Sequence, residues 1–116
     1  MTIQPPIPFP GPASSAGSAV TAFHRTELGP ILALYGRMVA AGEWRDYAIS
    51  CLKDVAVFSI FRRTAETPLY RIEKRPGLRL RQGQYAVVGS EGQVLRRGHD
   101  LGQVLQAIAP RPRLVE

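Results

Sequence analysis

A chain of 116 residues is long enough for one folded domain and too short for two, so a single core must support any function. One cysteine excludes an intramolecular disulfide and a cysteine-based zinc site, while a formal net charge of +6 favours an anionic partner. No stretch approaches the roughly 18 consecutive apolar residues of a membrane-spanning helix, and no basic leader precedes Arg25, so the sequence predicts a cytoplasmic protein.

The N-terminal segment is rich in proline, serine and alanine. Such a composition cannot bury enough apolar surface to offset the entropy of ordering the chain. We therefore expect a disordered tail over residues 1–22, a single folded domain over residues 23–110, and a short, flexible, basic C-terminal end over residues 111–116.

The first predicted element is a helix over residues 27–41. Thr26 or Gly29 can cap its start, with Pro30 in the first turn, and Gly42 fits a C-terminal stop. Its apolar residues recur at the three- and four-residue spacing that forms one helix face. They are Leu28, Ile31, Leu32, Leu34, Tyr35, Met38 and Val39.

A β-hairpin is predicted next, with strands over residues 47–52 and 55–61 and a two-residue turn at Lys53-Asp54. In the first strand, Cys51 is expected to pack as a small buried side chain. The second strand is apolar on both faces, which is typical of a central strand that is covered on both sides.

Three further strands are predicted over residues 69–74, 84–88 and 93–96, the last two joined by a turn at residues 89–92. Residues 75–83 contain a Pro-Gly break and a basic stretch without a recognisable pattern, so no structure is assigned there.

A C-terminal helix is expected between Asp100, which can cap it, and Pro110, which ends it. Leu101, Val104 and Ile108 lie on one face of such a helix. The sequence therefore predicts an α+β fold, a five-stranded antiparallel sheet flanked by an N-terminal and a C-terminal helix, in the order α-β-β-β-β-β-α.

Much of the chain between residues 24 and 101 resembles a known protein family. The segments that carry the resemblance read HRTEL at residues 24–28, LYGRMVAAGEWRDYA at 34–48, FRRT at 61–64, LYRIEK at 69–74 and RGHDL at 97–101. They are similar to a family of small alphaproteobacterial proteins classed as a domain of unknown function. The resemblance implies a bacterial, cytoplasmic protein and assigns no functional residue.

The sequence contains no recognisable set of catalytic residues. The two histidines, His24 and His99, are far apart in sequence and neither accompanies a nucleophile and an orienting acid. The carboxylates are scattered without the spacing of metal ligands. No glycine-rich loop matches a nucleotide-binding pattern. The glycines Gly89 and Gly92 fit a hairpin turn instead. We expect a protein that is not an enzyme and holds neither a metal nor a cofactor.

The placement of the charge is the strongest functional feature. Residues 1–61 carry equal numbers of cations and carboxylates, whereas residues 62–97 carry nine cations against three carboxylates. Such a surface attracts polyanions through counterion release, with Phe61, Tyr70 and Tyr85 as candidate base-stacking partners. The candidate nucleic-acid-binding residues are Arg62, Arg63, Arg71, Lys74, Arg75, Arg79, Arg81, Arg96 and Arg97.

An adaptor that binds an acidic protein is the alternative, because a basic surface also steers acidic proteins. The sequence leaves open whether the partner is DNA, RNA or protein, and whether the chain is a monomer. It also leaves open whether Trp44 lies in the core or on a contact surface.

Overall fold

The computed structural model describes residues 19–63 and 67–110. Within them, two helices enclose five strands, and a short 3-10 helix lies between the third and fourth strands. The bounds are α1 Arg25–Ala40, β1 Asp46–Cys51, β2 Ala56–Phe61, β3 Tyr70–Lys74, the 3-10 helix Pro76–Leu78, β4 Tyr85–Gly89, β5 Val94–Gly98 and α2 Leu101–Leu105. This architecture confirms the predicted α+β fold. The expectations for residues 1–18 and 111–116 lie outside the described residues.

The strands form one antiparallel sheet in sequence order, so β1 and β5 are the edge strands of the described sheet. Directly opposed residues of neighbouring strands point to the same face. One row of such partners crosses the whole sheet and consists of Ile49, Phe58, Ile72, Val87 and Arg96. Both helices pack on the face that holds this row, which we call the helix face, and the opposite face is called the open face.

The hydrophobic core lies between the helix face and the two helices. Phe58 and Ile72 of the sheet, Ile31 of α1 and Val104 of α2 are almost completely buried in it. Burial of each such side chain contributes about 1.5 to 3 kcal/mol. The residues of the open face lie outside this cluster, so the fold has one principal core layer.

The start of α1 differs from the prediction. His24 is the N-cap, because its side chain accepts a hydrogen bond from the Thr26 amide while the Glu27 side chain accepts one from the His24 amide. This reciprocal capping box moves the helix start to Arg25 and places Pro30 inside the helix. A helix tolerates proline poorly beyond its first turn, since the ring removes one backbone hydrogen bond.

The α1–β1 junction and the start of α2 both lie next to the core. Trp44, between α1 and β1, is 4% exposed and lies 6.1 Å from Tyr35 and 6.3 Å from Tyr70 between ring centroids, which places it in the core. Asp100 caps α2 as predicted, by accepting hydrogen bonds from the amides of Gly102 and Gln103. The helix itself is shorter than expected, and turns continue the chain to the buried Ile108.

The strand β2 lies between β1 and β3, which confirms an interior strand. Two other expectations about the first hairpin are wrong. Only alternate residues of β2 are buried, because no described helix covers the open face. Cys51 is exposed, together with the whole of β1. The local pattern of β1 matches a half-buried strand, but the described residues provide nothing that covers its outer edge.

Candidate nucleic-acid interface

An ion cluster occupies the open face around Glu73 of β3. The Glu73 side chain is 11% exposed and accepts a hydrogen bond from Nε of Arg75 at 3.2 Å. Nε of Arg71 lies 3.9 Å from its other carboxylate oxygen. In both pairs the recorded nitrogen is Nε, but only Arg75 is close enough for a hydrogen bond. One nearly buried carboxylate thus holds Arg75 and attracts Arg71 on this face.

Arg97 of β5 lies across the sheet from this cluster. It is opposite Ala86 of β4, which is in turn opposite Glu73. Ala86 is completely buried although it points to the open face, because the longer side chains on both flanks cover it. Nη1 of Arg97 donates to the backbone oxygen of Gly83 at 3.4 Å, which ties β5 to the loop that precedes β4.

That loop, which the sequence left unassigned, is built from consecutive turns. The Arg75 amide donates to the Gln84 oxygen at 2.6 Å and closes its base, and the amides of Arg81 and Gly83 both donate to the Leu78 oxygen. Gly83 has φ +110, and a Cβ added there would lie 2.4 Å from the carbonyl carbon of Gly98. The loop is therefore held against the end of β5 by a position that accepts only glycine.

Five of the candidate arginines lie on the open face or on the adjoining loop. Arg79 and Arg81 are exposed on the loop, at the end of the sheet where Arg75 and Arg97 lie. We call the group the basic surface, and it consists of Arg71, Arg75, Arg79, Arg81 and Arg97. Glu73 is the carboxylate within it, and a groove of about 370 Å³ separates the loop from Asp54 of the β1–β2 turn.

The remaining four candidate cations lie elsewhere. Arg62 and Arg63 are exposed at the opposite end of the sheet, where Nη2 of Arg62 lies 3.5 Å from the Glu43 carboxylate. Arg96 points to the helix face, and its Nη1 donates to the Gln103 oxygen at 3.2 Å. Lys74 also points to the helix face. The nine candidates thus divide into five on the open face or the β3–β4 loop and four that lie elsewhere.

Lys74 belongs to a polar cluster at the start of α1. Its Nζ donates to the Glu27 carboxylate at 2.8 Å and to the Ala22 oxygen at 2.9 Å. The hydroxyl of Tyr85 donates to the other oxygen of Glu27. The Lys74 and Glu27 side chains are 15% and 13% exposed, so this ion pair lies mostly out of solvent. The cluster fastens α1 to β3 and β4.

The surroundings of Glu27 shift two pKa values in opposite directions. Partial burial raises the pKa of its carboxyl, but hydrogen bonds from Lys74, Tyr85 and the His24 amide outweigh burial, and the pKa lies below its ordinary value. Burial and the bond to Glu27 raise the pKa of the Tyr85 hydroxyl. At neutral pH, an ionised carboxylate therefore accepts from a protonated tyrosine and a lysine.

The aromatic residues proposed to stack on bases are mostly structural. Tyr85 is buried in the Glu27 cluster, and Tyr70 packs against the core on the helix face. Only Phe61 points to the open face, where it is half-buried. The expectation of three interleaved stacking residues is wrong for Tyr70 and Tyr85. Strand alternation places these two rings on the helix face, whereas their chain neighbours Arg71 and Ala86 point to the open face.

The sequence contained a signal for part of the missed Glu27 cluster. Glu27 follows His24 by three residues, which is the spacing of a capping box. Its contact with Lys74 joins residues 47 positions apart, so no local pattern could reveal it.

The described residues offer neither a metal-binding cluster nor a membrane-spanning helix. Across residues 19–63 and 67–110, no three His, Cys, Asp or Glu side chains are grouped so that they could hold a metal ion. In the same part of the chain, neither helix has the length and apolar character that crossing a membrane requires.

Comparison with known proteins identifies a family. Curated proteins provide no match, and solved structures provide none either. Residues 21–105 match the family described as "Protein of unknown function (DUF2794)". The match begins at Thr21, before α1, and ends at the last residue of α2, so it includes the whole described sheet. The chain belongs to this family.

Proposed function

We propose that the domain binds nucleic acid through the basic surface. The observation that carries the proposal is the pairing of Arg71 and Arg75 with one carboxylate, Glu73, on the face of the sheet that also holds Arg97. Arg79 and Arg81 add two exposed cations on the adjoining loop, so the cations of this region outnumber its carboxylate. The excess is suited to phosphate groups, whose condensed counterions are released on binding.

The geometry of the arginines supports phosphate recognition. Glu73 accepts a hydrogen bond from Nε of Arg75, which restrains that side chain and leaves its paired terminal nitrogens for another acceptor, while Arg71 lies 3.9 Å away as a second cation. A guanidinium group held in this way donates two hydrogen bonds to a phosphate with little further loss of side-chain freedom. The ordered loop similarly limits the positions available to Arg79 and Arg81.

The test is the salt dependence of binding by the full chain to duplex DNA and single-stranded RNA. On duplex DNA, log affinity falls with log salt by about 0.9 per neutralised phosphate. The double variant Arg79→Gln, Arg81→Gln removes two exposed cations and keeps the Glu73 cluster intact. We expect its slope to be shallower by about two units.

The matched control is the double variant Arg62→Gln, Arg63→Gln, which removes the same charge at the opposite end of the sheet. Its slope should equal that of the unaltered chain. Equal flattening in both double variants would show that net charge, not the basic surface, determines binding. Affinity of the unaltered chain weaker than about 100 μM at moderate salt would contradict nucleic-acid binding altogether.

A groove between α1 and α2 favours a second candidate, an adaptor for an acidic protein. The groove has a volume of about 790 Å³, an apolar floor that includes Leu34 and Leu105, and Arg37 and Arg96 in its lining. An acidic peptide with an apolar face fits this combination. The variant Arg37→Gln, Arg96→Gln should weaken binding of a Glu- and Leu-rich helical peptide while leaving the salt slope on DNA unchanged.

A further inference from the structure

The edge strand β1 lacks the features that usually protect a sheet edge. All six of its residues are exposed, and the stretch from Tyr47 to Leu52 contains neither a charge nor a proline. Exposed strands of this kind pair readily with other strands, and natural edges are normally blocked by charges, prolines or bulges. The other edge, β5, has that protection, because it carries Arg96 and Arg97 and a register shift against β4.

The backbone of β1 offers hydrogen-bonding groups along its outer side. The Leu52 amide donates to the Val55 oxygen across the hairpin. Alternate residues of an antiparallel strand direct their backbone groups to the same neighbour. The groups of residues 46, 48 and 50 and the Leu52 amide therefore face β2, while the Leu52 oxygen accepts from the Thr21 amide. The groups of Tyr47, Ile49 and Cys51 face outward. Within the described residues no strand receives them.

An apolar stripe of α1 lies beside this edge. The Tyr35 ring contacts the Tyr47 ring edge-on at 5.0 Å, which shows that this side of α1 borders β1. Leu32 and Val39 lie three residues before and four after Tyr35, on the same side of the helix. Leu32 and Val39 are 39% and 40% exposed, and Tyr47 and Ile49 are 41% and 43% exposed. The helix and the strand thus present one continuous apolar side.

We propose that this side binds a second copy of the chain, with β1 pairing antiparallel to β1 of the second copy about a two-fold axis. Centred on Ile49, the pairing opposes Ile49 to itself and Tyr47 to Cys51 of the second copy, which uses all the outward backbone groups. Every opposed side chain on the helix face is then apolar. Both α1 helices lie on that same face and bring their exposed stripes together across the axis.

Charge and size favour a second copy over an unrelated strand. No charged residue lies between Tyr47 and Leu52, so the central pairs of two copies contain no opposed like charges, and Arg45 meets Lys53 of the second copy only beyond the ends of the paired strands. The 16-residue helix is about 24 Å long and the six-residue strand about 20 Å long. Two layers of this length are of the order needed to bury the ~800 Å² per partner of a standard interface.

The first test is the molar mass of the full chain in solution, measured by analytical ultracentrifugation from about 1 to 100 μM. We expect a dimer. The variant Ile49→Lys places two like charges on the axis, and its dimer should dissociate at least about 100-fold more readily. The matched control is Leu95→Lys on β5, at an equally exposed position (42%), which should remain dimeric.

A second measurement tests the register and does not depend on the folding of Ile49→Lys. Backbone-paired residues of antiparallel strands lie about 5.5 Å apart between Cα atoms, which suits a disulfide. With Cys51→Ser present, Ile49→Cys should form a covalent dimer under mild oxidation, whereas Leu95→Cys should not.

Three results would overturn the proposal. One is a monomeric full chain, whether residues 1–18 then cover the edge or leave it bare. Another is a dimer that Ile49→Lys leaves intact, since the interface would then lie elsewhere. The third is a failure of Ile49→Cys to cross-link. None of these measurements involves the basic surface, so they are independent of nucleic-acid binding.

Discussion

The helix face and the open face of the sheet use the same kinds of ions in different ways. Lys74 and Arg75 are neighbours in sequence, yet Lys74 joins Glu27 in a nearly solvent-free cluster, while Arg75 joins Glu73 at the surface. The first pair fastens a helix to the sheet. The second holds an arginine in place with its terminal nitrogens uncommitted.

This contrast teaches that the basic segment is two sets of residues. Among the strand residues, alternation sends Lys74 and Arg96 toward the helices, where each meets a carboxylate or a carbonyl, and Arg71 and Arg97 toward the open face. We therefore expect stability to depend mainly on the helix face, and the proposed polyanion binding to depend on the open face and its adjoining loop. Four predictions challenge this division.

The largest expected effect separates the two faces directly. Phe58→Ala should lower the free energy of unfolding by about 3 to 5 kcal/mol, because the ring is fully buried on the helix face. Phe61→Ala, on the same strand but half-buried on the open face, should cost less than about 2 kcal/mol. Urea unfolding of both variants measures the difference. Equal losses would mean that the open face is also covered.

The second prediction concerns the loop that carries Arg79 and Arg81. Gly83→Ala should destabilise by about 2 to 4 kcal/mol, because φ is +110 and the added Cβ meets the Gly98 backbone. Gly77→Ala in the same loop meets nothing within 4 Å and should stay within about 0.5 kcal/mol of the unaltered chain. Thermal melts compare the two, and similar melting temperatures would contradict the tight packing of the loop on β5.

The third prediction compares ion pairs of different burial. Glu27→Gln should cost about 2 to 3 kcal/mol, because it removes a charged acceptor from Lys74 and Tyr85. Glu43→Gln removes the carboxylate beside Arg62, where both side chains are more than half exposed. Its effect should be within about 0.5 kcal/mol. Chemical denaturation measures the free energy of unfolding of both variants. A Glu27→Gln variant as stable as the unaltered chain would show that the polar cluster does not hold α1 to the sheet.

The smallest effect is the dependence of stability on acid. The pKa of Glu27 is lower in the folded chain than its ordinary value of 4.5, so folding favours the ionised carboxylate. This contribution is complete above about pH 4.5 and is lost as the pH falls through the folded pKa. Between pH 7 and pH 3, the unaltered chain should lose more stability than Glu27→Gln. Parallel pH profiles would contradict this assignment.

Much of the fold could be predicted because its signals are local. Apolar spacing located both helices and all five strands to within a few residues, and Asp100 was recognised as a cap. The start of α1 was misplaced because His24, an uncommon cap, takes the position expected of Thr26 or Gly29. The β3–β4 loop was missed because its turns follow no repeating pattern, and backbone hydrogen bonds alone define them.

The sequence by itself determined the order of elements, the alternation of every strand and the excess of cations between residues 62 and 97, since each depends on neighbouring residues. Only the tertiary structure decided that Lys74 meets Glu27, that Arg71 and Arg75 meet Glu73, and that Cys51 and the rest of β1 are exposed. These properties depend on which distant segments pack together. The pattern of a strand predicts its two faces. It does not predict which segment packs against either face, or whether another strand pairs with its free edge.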